Sequence, residues 1–365
     1  MIRKSFWKAG ERIKIRLMLI MGYLGAVIGA GFASGQEIVQ FFVAYGNHGL
    51  QGVFVSILLF AASGGVLLYT THKLKTSDYQ KVLAYLCGEK LGGIVDFLLA
   101  IFLFLGLSTM LAASGAVFYE HLYLPKTFGI FLAYVMLIIT LAAGRKGLFY
   151  SFNVLVPIKL ILLILISGYV VIFGDIATQS NITFLMPQDE KYWLLSSILY
   201  VAYNFSLAMV VLSEYQSVSS PREGIWGAVE GGLLLGGLVL LNYLALQKFL
   251  PMIMHYEVPM LFVAGQISLT AKHIYTLVLW VGILTTAIAN AFAFAQRFAK
   301  FTGLSYPLCL IFCLTMALPL SLQSFSGLVS KVYPVFGMLG ILILGALSYR
   351  FIVDLMQGSR NRGSA

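Results

Sequence analysis

Four polar features interrupt otherwise apolar stretches of this 365-residue chain. The first is GAVIGAGFASGQEI, residues 25–38, in which Gly25, Gly29, Gly31 and Gly35 are followed at once by Gln36 and Glu37. The second is Lys159, and the third is the adjacent pair Thr285 and Thr286. The fourth is LYVAYNFSLAMV, residues 199–210, centred on Tyr203, Asn204, Phe205 and Ser206. Each glycine costs a helix roughly 1 kcal/mol relative to alanine. Gly25/Gly29 and Gly31/Gly35 also read as close-packing pairs, but their offset puts them on different faces. The spacing predicts an unwound segment. A helix broken in mid-membrane frees carbonyls that can hold a cation and amides that can hold a carboxylate. Gly29, Ala30 and Gly31 would let a ligand touch backbone. A matching break at residues 203–206 would leave Asn204 and Ser206 to bond the freed groups.

Lys159 lies about eleven residues from the nearer end of its apolar stretch, or about 16 Å at 1.5 Å per residue. That is too far to snorkel, so the lysine must face a cavity or a partner. Stripped of water it can exchange a proton; alternatively it stays charged on backbone carbonyls. Glu37 also has two readings. It falls in the first turns of the second half-helix, where it complements the positive dipole and could belong to an outer gate. Equally, it is a buried carboxylate bonded to a neighbouring helix.

The elements that must hold these residues follow from composition. The chain is 60% hydrophobic, 14% aromatic and only 10% charged. This is an all-α polytopic membrane protein, since the apolar runs are continuous and not alternating as in a β-barrel. Ten stretches are long enough to span: 15–44, 50–73, 92–121, 127–144, 148–174, 191–218, 224–250, 270–299, 304–321 and 327–352. Residues 75–91 read as a short surface helix, and 251–269 as a loop with short amphipathic helices. The tail, 353–365, is expected to be flexible. No cleavable signal peptide is evident, and Phe6 and Trp7 read as an interfacial anchor. Cys87, Cys309 and Cys313 form neither a disulfide framework nor a metal spacing. No nucleophile–base pair or phosphate loop is evident, so no enzyme is expected. The net charge of +10 is topological, and no nucleic-acid partner is expected.

Eighteen of the 24 Lys and Arg residues fall on one side of these spans and five on the other. The bias places both termini in the cytoplasm of a bacterial inner membrane. Five plus five spans suggest an inverted repeat, residues 15–174 and 191–352, in one transmembrane domain with spans 1 and 6 broken.

At these residues the chain resembles a known superfamily. GAVIGAGF, residues 25–32, is similar to the first-span motif G-x-I-I-G-x-G-I-F of the amino acid–polyamine–organocation (APC) transporters. Its continuation FASGQEI with QFF, residues 32–42, resembles the YkvI family of bacterial membrane proteins within that group. The resemblance implies the LeuT fold over essentially the whole chain. GRKGLFYSFNVLVPIKL, residues 144–160, is similar to the fifth span of APC permeases through Gly144, Lys146, Asn153 and Lys159. GILTTAIA, residues 282–289, resembles the eighth span of sodium-coupled LeuT-fold transporters. There, a carbonyl and two hydroxyls meet span-1 carbonyls around Na⁺. The matching positions are Gly282, Thr285 and Thr286, with Gly25 and Ile28. Phe32 departs from the pattern and implies at most one cation site.

The two matches compete, because two positive charges cannot share one small site. Either Lys159 fills the cation position and coupling is to protons or absent, or Na⁺ binds at Gly25, Ile28, Gly282, Thr285 and Thr286. The threonines also have a packing use, bonding carbonyls of the preceding turn such as that of Gly282. The expected function is secondary transport of a small zwitterionic or anionic, amino-acid-like metabolite. Its contacts would be Gly29, Ala30, Gly31, Phe32, Ala33, Ser34, Tyr203, Asn204 and Ser206, with Ser108 approaching from span 3. The alternative is a ligand sensor on a transporter fold. No cofactor beyond Na⁺ is implied, and the oligomeric state stays open.

Overall fold

The computed structural model describes residues 2–142, 145–174 and 188–362, with side chains for 12–141, 157–174 and 188–357. Gly144 lies outside the described residues, as do the side chains of Phe6, Trp7, Lys146 and Asn153. The described residues form helices joined by short turns. In chain order they are α1 (Ile2–Val27), α2 (Ala30–Ser34), α3 (Gln36–Phe41), α4 (Gly49–Leu74), α5 (Tyr79–Cys87), α6 (Glu89–Leu122) and α7 (Lys126–Ala142). There follow α8 (Arg145–Phe173), α9 (Trp193–Glu214), α10 (Pro221–Gln247), α11 (Pro259–Ile267), α12 (Leu269–Thr302), α13 (Tyr306–Ser321) and α14 (Phe325–Arg362). Six helical stretches are long and apolar enough to cross a membrane: Val43–Leu74, Glu89–Leu122, Glu190–Ser217, Pro221–Gln247, Leu269–Thr302 and Phe325–Gln357. Lys126–Leu141, Pro157–Phe173 and Tyr306–Ser321 are shorter apolar helices.

Local chemistry sets the ends. Ser220 precedes Pro221, and its hydroxyl accepts the Glu223 amide at 3.3 Å. Ser268 caps α12 by accepting from the Ala271 amide at 3.0 Å. Such caps satisfy amides that a helix start leaves free. Lys248, just past α10, donates to the carbonyls of Val170, Val171 and Gly174, each at 2.9 Å. It thereby closes the end of α8 with a cation where the helix dipole favours one.

Close packing rests on glycine in the α4–α10 pair. A Cβ on Gly232 would stand 2.6 Å from the Phe60 carbonyl, and one on Gly236 2.7 Å from the Ile57 Cα. On the other face, Gly231 lies against Ile20 and Tyr23 of α1. Backbones approach this closely only where side chains are absent.

The structure corrects several expectations. Residues 193–214 form one continuous α-helix, so span 6 is not broken here. Nothing in it removes a backbone bond, since it holds no glycine or proline. Asn204 and Ser206 bond back to their own helix, at Tyr200 O (3.0 Å) and Ala202 O (2.7 Å). The expected flexible tail from 353 continues α14 as far as Arg362. Glu230 pairs with Arg16 of α1 at 2.8 Å. Asn242 links α10 to α8, accepting from Ser167 at 2.7 Å.

The packing analysis predicts opposite outcomes for two neighbouring glycines. Gly232→Ala should lower the melting temperature in detergent, with overpacking costing about 1–3 kcal/mol. Gly237 has nothing within 4 Å of its would-be Cβ, so Gly237→Ala should be neutral or gain up to about 1 kcal/mol of helix propensity.

Candidate functional site: a cavity at the break in α1

Helix α1 stops at Val27, Ile28 and Gly29 lie outside any helix, and α2 starts at Ala30. Gly35, at φ +82°, turns the chain again between α2 and α3. This left-handed conformation favours glycine. Every residue from Ala30 to Val39 is buried. The break therefore exposes backbone to the interior of the protein, where irregular backbone is tolerated at membrane depth.

A cavity of about 310 Å³ lies against the break. That is the lower end of small-molecule sites, about 300–1,000 Å³. Its first wall is the segment from Gly25 to Gly31. Glu37 lines it from α3, Tyr203, Asn204 and Ser206 from α9, and Lys159 from α8. Thr285 and Thr286 line it from α12. Most of the candidate residues are thus brought together, although they span 262 positions of sequence (25 to 286, counting both ends).

Other candidates fall elsewhere. Phe32, Ala33 and Ser34 are buried but do not line the cavity. The Ser34 hydroxyl donates to Gly31 O at 2.7 Å and accepts the Gln36 amide at 3.2 Å, stitching the α2–α3 turn. Ala33 O accepts from the Tyr275 hydroxyl at 2.6 Å. Ser108 turns onto its own helix, donating to Phe104 O at 3.2 Å. Phe205 is fully buried away from the cavity. Gly282 is not in the wall, and a Cβ on it would stand 3.2 Å from the Lys159 Cδ.

The electrostatics centre on two charged side chains. Lys159 is 4% exposed, and its Nζ donates to Ile28 O at 2.6 Å. Both threonine hydroxyls donate to Gly282 O, Thr285 at 2.8 Å and Thr286 at 3.0 Å. Glu37 is also 4% exposed. Its carboxyl lies beside Gly31 and next to the Tyr203 hydroxyl of the neighbouring helix α9, at the cavity. A Cβ on Gly31 would run into Glu37 Oε1, so the glycine makes room for the carboxylate.

Sequence reasoning missed Phe102, Tyr333, Asn290 and Arg297, all of which line the cavity. The ring residues carry no local signal, since aromatics in spans are most often packing. Arg297 sits at the far end, where it pairs with Asp96 at 3.3 Å and donates to the Tyr79 hydroxyl. A second cavity, lined by Tyr79, Asp96 and Lys300, meets the first at Ala293 and Arg297. Ser196 donates to Phe41 O at 2.8 Å, and Glu120 accepts the amides of Glu257 and Val258 at 2.7 and 3.2 Å.

Comparison with solved structures shows what this fold is similar to. A mutant manganese transporter from Eremococcus coleocola superposes with a TM-score of 0.57 at 14% identity, covering 92% of this chain and 78% of its own. MHP1, a nucleobase-cation-symport-1 family transporter in a closed conformation with bromovinylhydantoin bound, gives 0.54 at 16% identity, covering 93% and 78%. The chain is a homologue of two Bacillus subtilis (strain 168) proteins. It is 29% identical over 327 residues to the "Uncharacterized membrane protein YkvI", covering 89% of this chain and 93% of the relative. It is 27% identical over 345 residues to the "Uncharacterized protein YyaD", covering 93% and 96%. No protein-family model matches. These relatives and folds agree with the resemblance read from residues 25–42.

The contact between α12 and the broken segment is testable. Tyr275→Phe removes the donor to a buried carbonyl and should cost about 1–3 kcal/mol, read as a lower melting temperature of the purified protein.

Proposed function

We propose that the chain is a secondary active transporter of a small zwitterionic or anionic metabolite, working by alternating access. In this reading ten spans form two inverted five-helix halves, residues 15–174 and 191–352, in a bacterial inner membrane. Both termini are cytoplasmic, and the Arg297 end of the cavity faces the cytoplasm. The substrate rests against the backbone at Gly29–Gly31 and against Tyr203, Asn204 and Ser206. The transporter fold of the solved neighbours supports transport as the class. Their cargoes do not carry over. Among the described residues no three His, Cys, Asp or Glu side chains gather as a metal site.

One observation carries the coupling. The Lys159 ammonium sits on the Ile28 carbonyl that a sodium ion would need, and both threonine hydroxyls are turned onto Gly282 O. An ammonium in that place excludes a second cation by charge. Lys159 then serves as the cation of the site, and transport is proton-coupled or uncoupled.

The test is uptake of pooled labelled amino acids into proteoliposomes under an inward Na⁺ gradient, an inward H⁺ gradient, or neither. Accumulation is expected without any need for Na⁺. Lys159→Met should lower uptake at least about tenfold, equivalent to about 1.4 kcal/mol, whereas Thr286→Ala should not. A sodium site filled at a hundred times its Kd would add about 2.7 kcal/mol of stability. Equal melting temperatures in Na⁺ and K⁺ are therefore expected. A rise in Na⁺ that Thr286→Ala abolishes would overturn the lysine assignment.

A further inference from the structure

The second cavity, of about 1190 Å³, has no part in the solute or cation readings. Helices α5, α6, α12 and α13 frame it. It is not an internal chamber. Phe97 and Phe301 line it and are 60% and 84% exposed, and a Cβ on Gly93 would meet nothing within 4 Å. Ile94 of α6 and Leu308 of α13 are exposed as well. Exposed apolar side chains on spanning helices face acyl chains. The cavity therefore opens sideways, toward lipid.

Its height in the bilayer follows from α12. That helix ends at Thr302, two residues past Lys300. Lys300 and Phe301 thus stand at the surface end of a span, where head groups meet tails.

The charges are lopsided. Asp96, Arg297 and Lys300 line the cavity, two cations against one carboxylate. Asp96 is already engaged. It accepts from the Tyr79 hydroxyl at 2.7 Å and from Gln80 Nε2 at 3.0 Å, and it pairs with Arg297 at 3.3 Å. Lys300 is exposed and makes no ion pair among the described residues. Its place in the last turn complements the helix dipole, a use that needs neither a cavity nor an aromatic rim. An occupant that matches both features is apolar along most of its length and anionic at one end. A free anion answers the lysine and leaves Phe97, Phe298 and Phe301 bare. A neutral amphiphile does the reverse.

We propose that the pocket between α5, α6, α12 and α13 binds an anionic phospholipid. Its phosphate lies against the Lys300 ammonium on the Arg297 side of the pocket, and an acyl chain runs along Phe97, Phe298 and Phe301. Basic pockets between spans suit phospholipid head groups for this reason. Arg297 borders both cavities, so the lipid sits behind one wall of the α1-break cavity. The site requires insertion in a membrane and holds for a carrier and a sensor alike.

The experiment titrates the purified full-length chain in detergent with phosphatidylglycerol or with phosphatidylcholine of identical acyl chains. Native mass spectrometry counts the lipids bound. Phosphatidylglycerol should give one saturable binding step that phosphatidylcholine lacks. Lys300→Gln should raise its apparent Kd about fivefold, the effect of one lysine beside an anionic head group. Lys300→Arg should restore it. Lys75→Gln, at an exposed lysine that ends α4, should leave it unchanged. Glycerol phosphate in large excess should not displace the lipid.

Equal binding of the two lipids would reduce the site to an apolar groove and overturn the proposal. So would equal losses in Lys300→Gln and Lys75→Gln, which would mean diffuse surface charge. Displacement by glycerol phosphate would also overturn it, as the mark of a free-anion site. Absence of uptake in proteoliposomes, with the lipid step intact, would sink transport and leave the lipid site standing.

Discussion

A backbone carbonyl inside a bilayer has no water to turn to, and a helix that stops in mid-membrane must find its partners in other helices. The segment from Ile28 to Phe42 is arranged around that requirement. Three of its carbonyls are taken up by three side chains from three different helices. Lys159 of α8 donates to Ile28 O, Tyr275 of α12 to Ala33 O, and Ser196 of α9 to Phe41 O. The interruption is thus pinned from three sides. The cavity exists because the chain there is neither packed as a helix nor free to collapse into one.

Much of this was legible in the sequence. Hydropathy gave the helical stretches, because an apolar run of about 20 residues has few other uses. The run of Gly25, Gly29, Gly31 and Gly35 pointed to the place where α1 ends, because glycine weakens a helix by a local mechanism. Lys159 stood out because a lone cation far from either membrane face must be answered by something. The rest depended on partners that a sequence does not name. Asn204 and Ser206 have the chemistry to bridge a break but equally bond to their own helix, and in α9 they do the latter. Glu37 reads from the sequence as a residue in the first turns of the second half-helix. The turn at Gly35 folds it back onto Gly31, and the glycine spacing marks a weak point there without giving the direction of the turn. Phe102 and Tyr333 were invisible because a ring on a cavity wall and a ring in a lipid-facing groove have the same letter.

The two charges at the cavity play unequal parts. Lys159 is held by backbone and shows the cavity a cation already satisfied. Glu37 faces the same space beside the Tyr203 hydroxyl. An apolar surround magnifies both fields, so small displacements of either group change the potential felt by a solute far more than they would in water. The glycine at 31 is the spatial condition for this asymmetry, because the carboxyl occupies the volume a side chain would fill.

The Lys248 cap has a consequence of another sort. One ammonium closes the end of α8 by reaching across from the end of α10, bonding Val170 O, Val171 O and Gly174 O at once. A residue inserted in either helix upstream of the cap would shift it by about 1.5 Å and turn it by roughly 100°, breaking all three bonds together. The lengths of α8 and α10 are therefore coupled. Insertions and deletions in this family of shapes have to fall in the loops between these helices or occur in both at once.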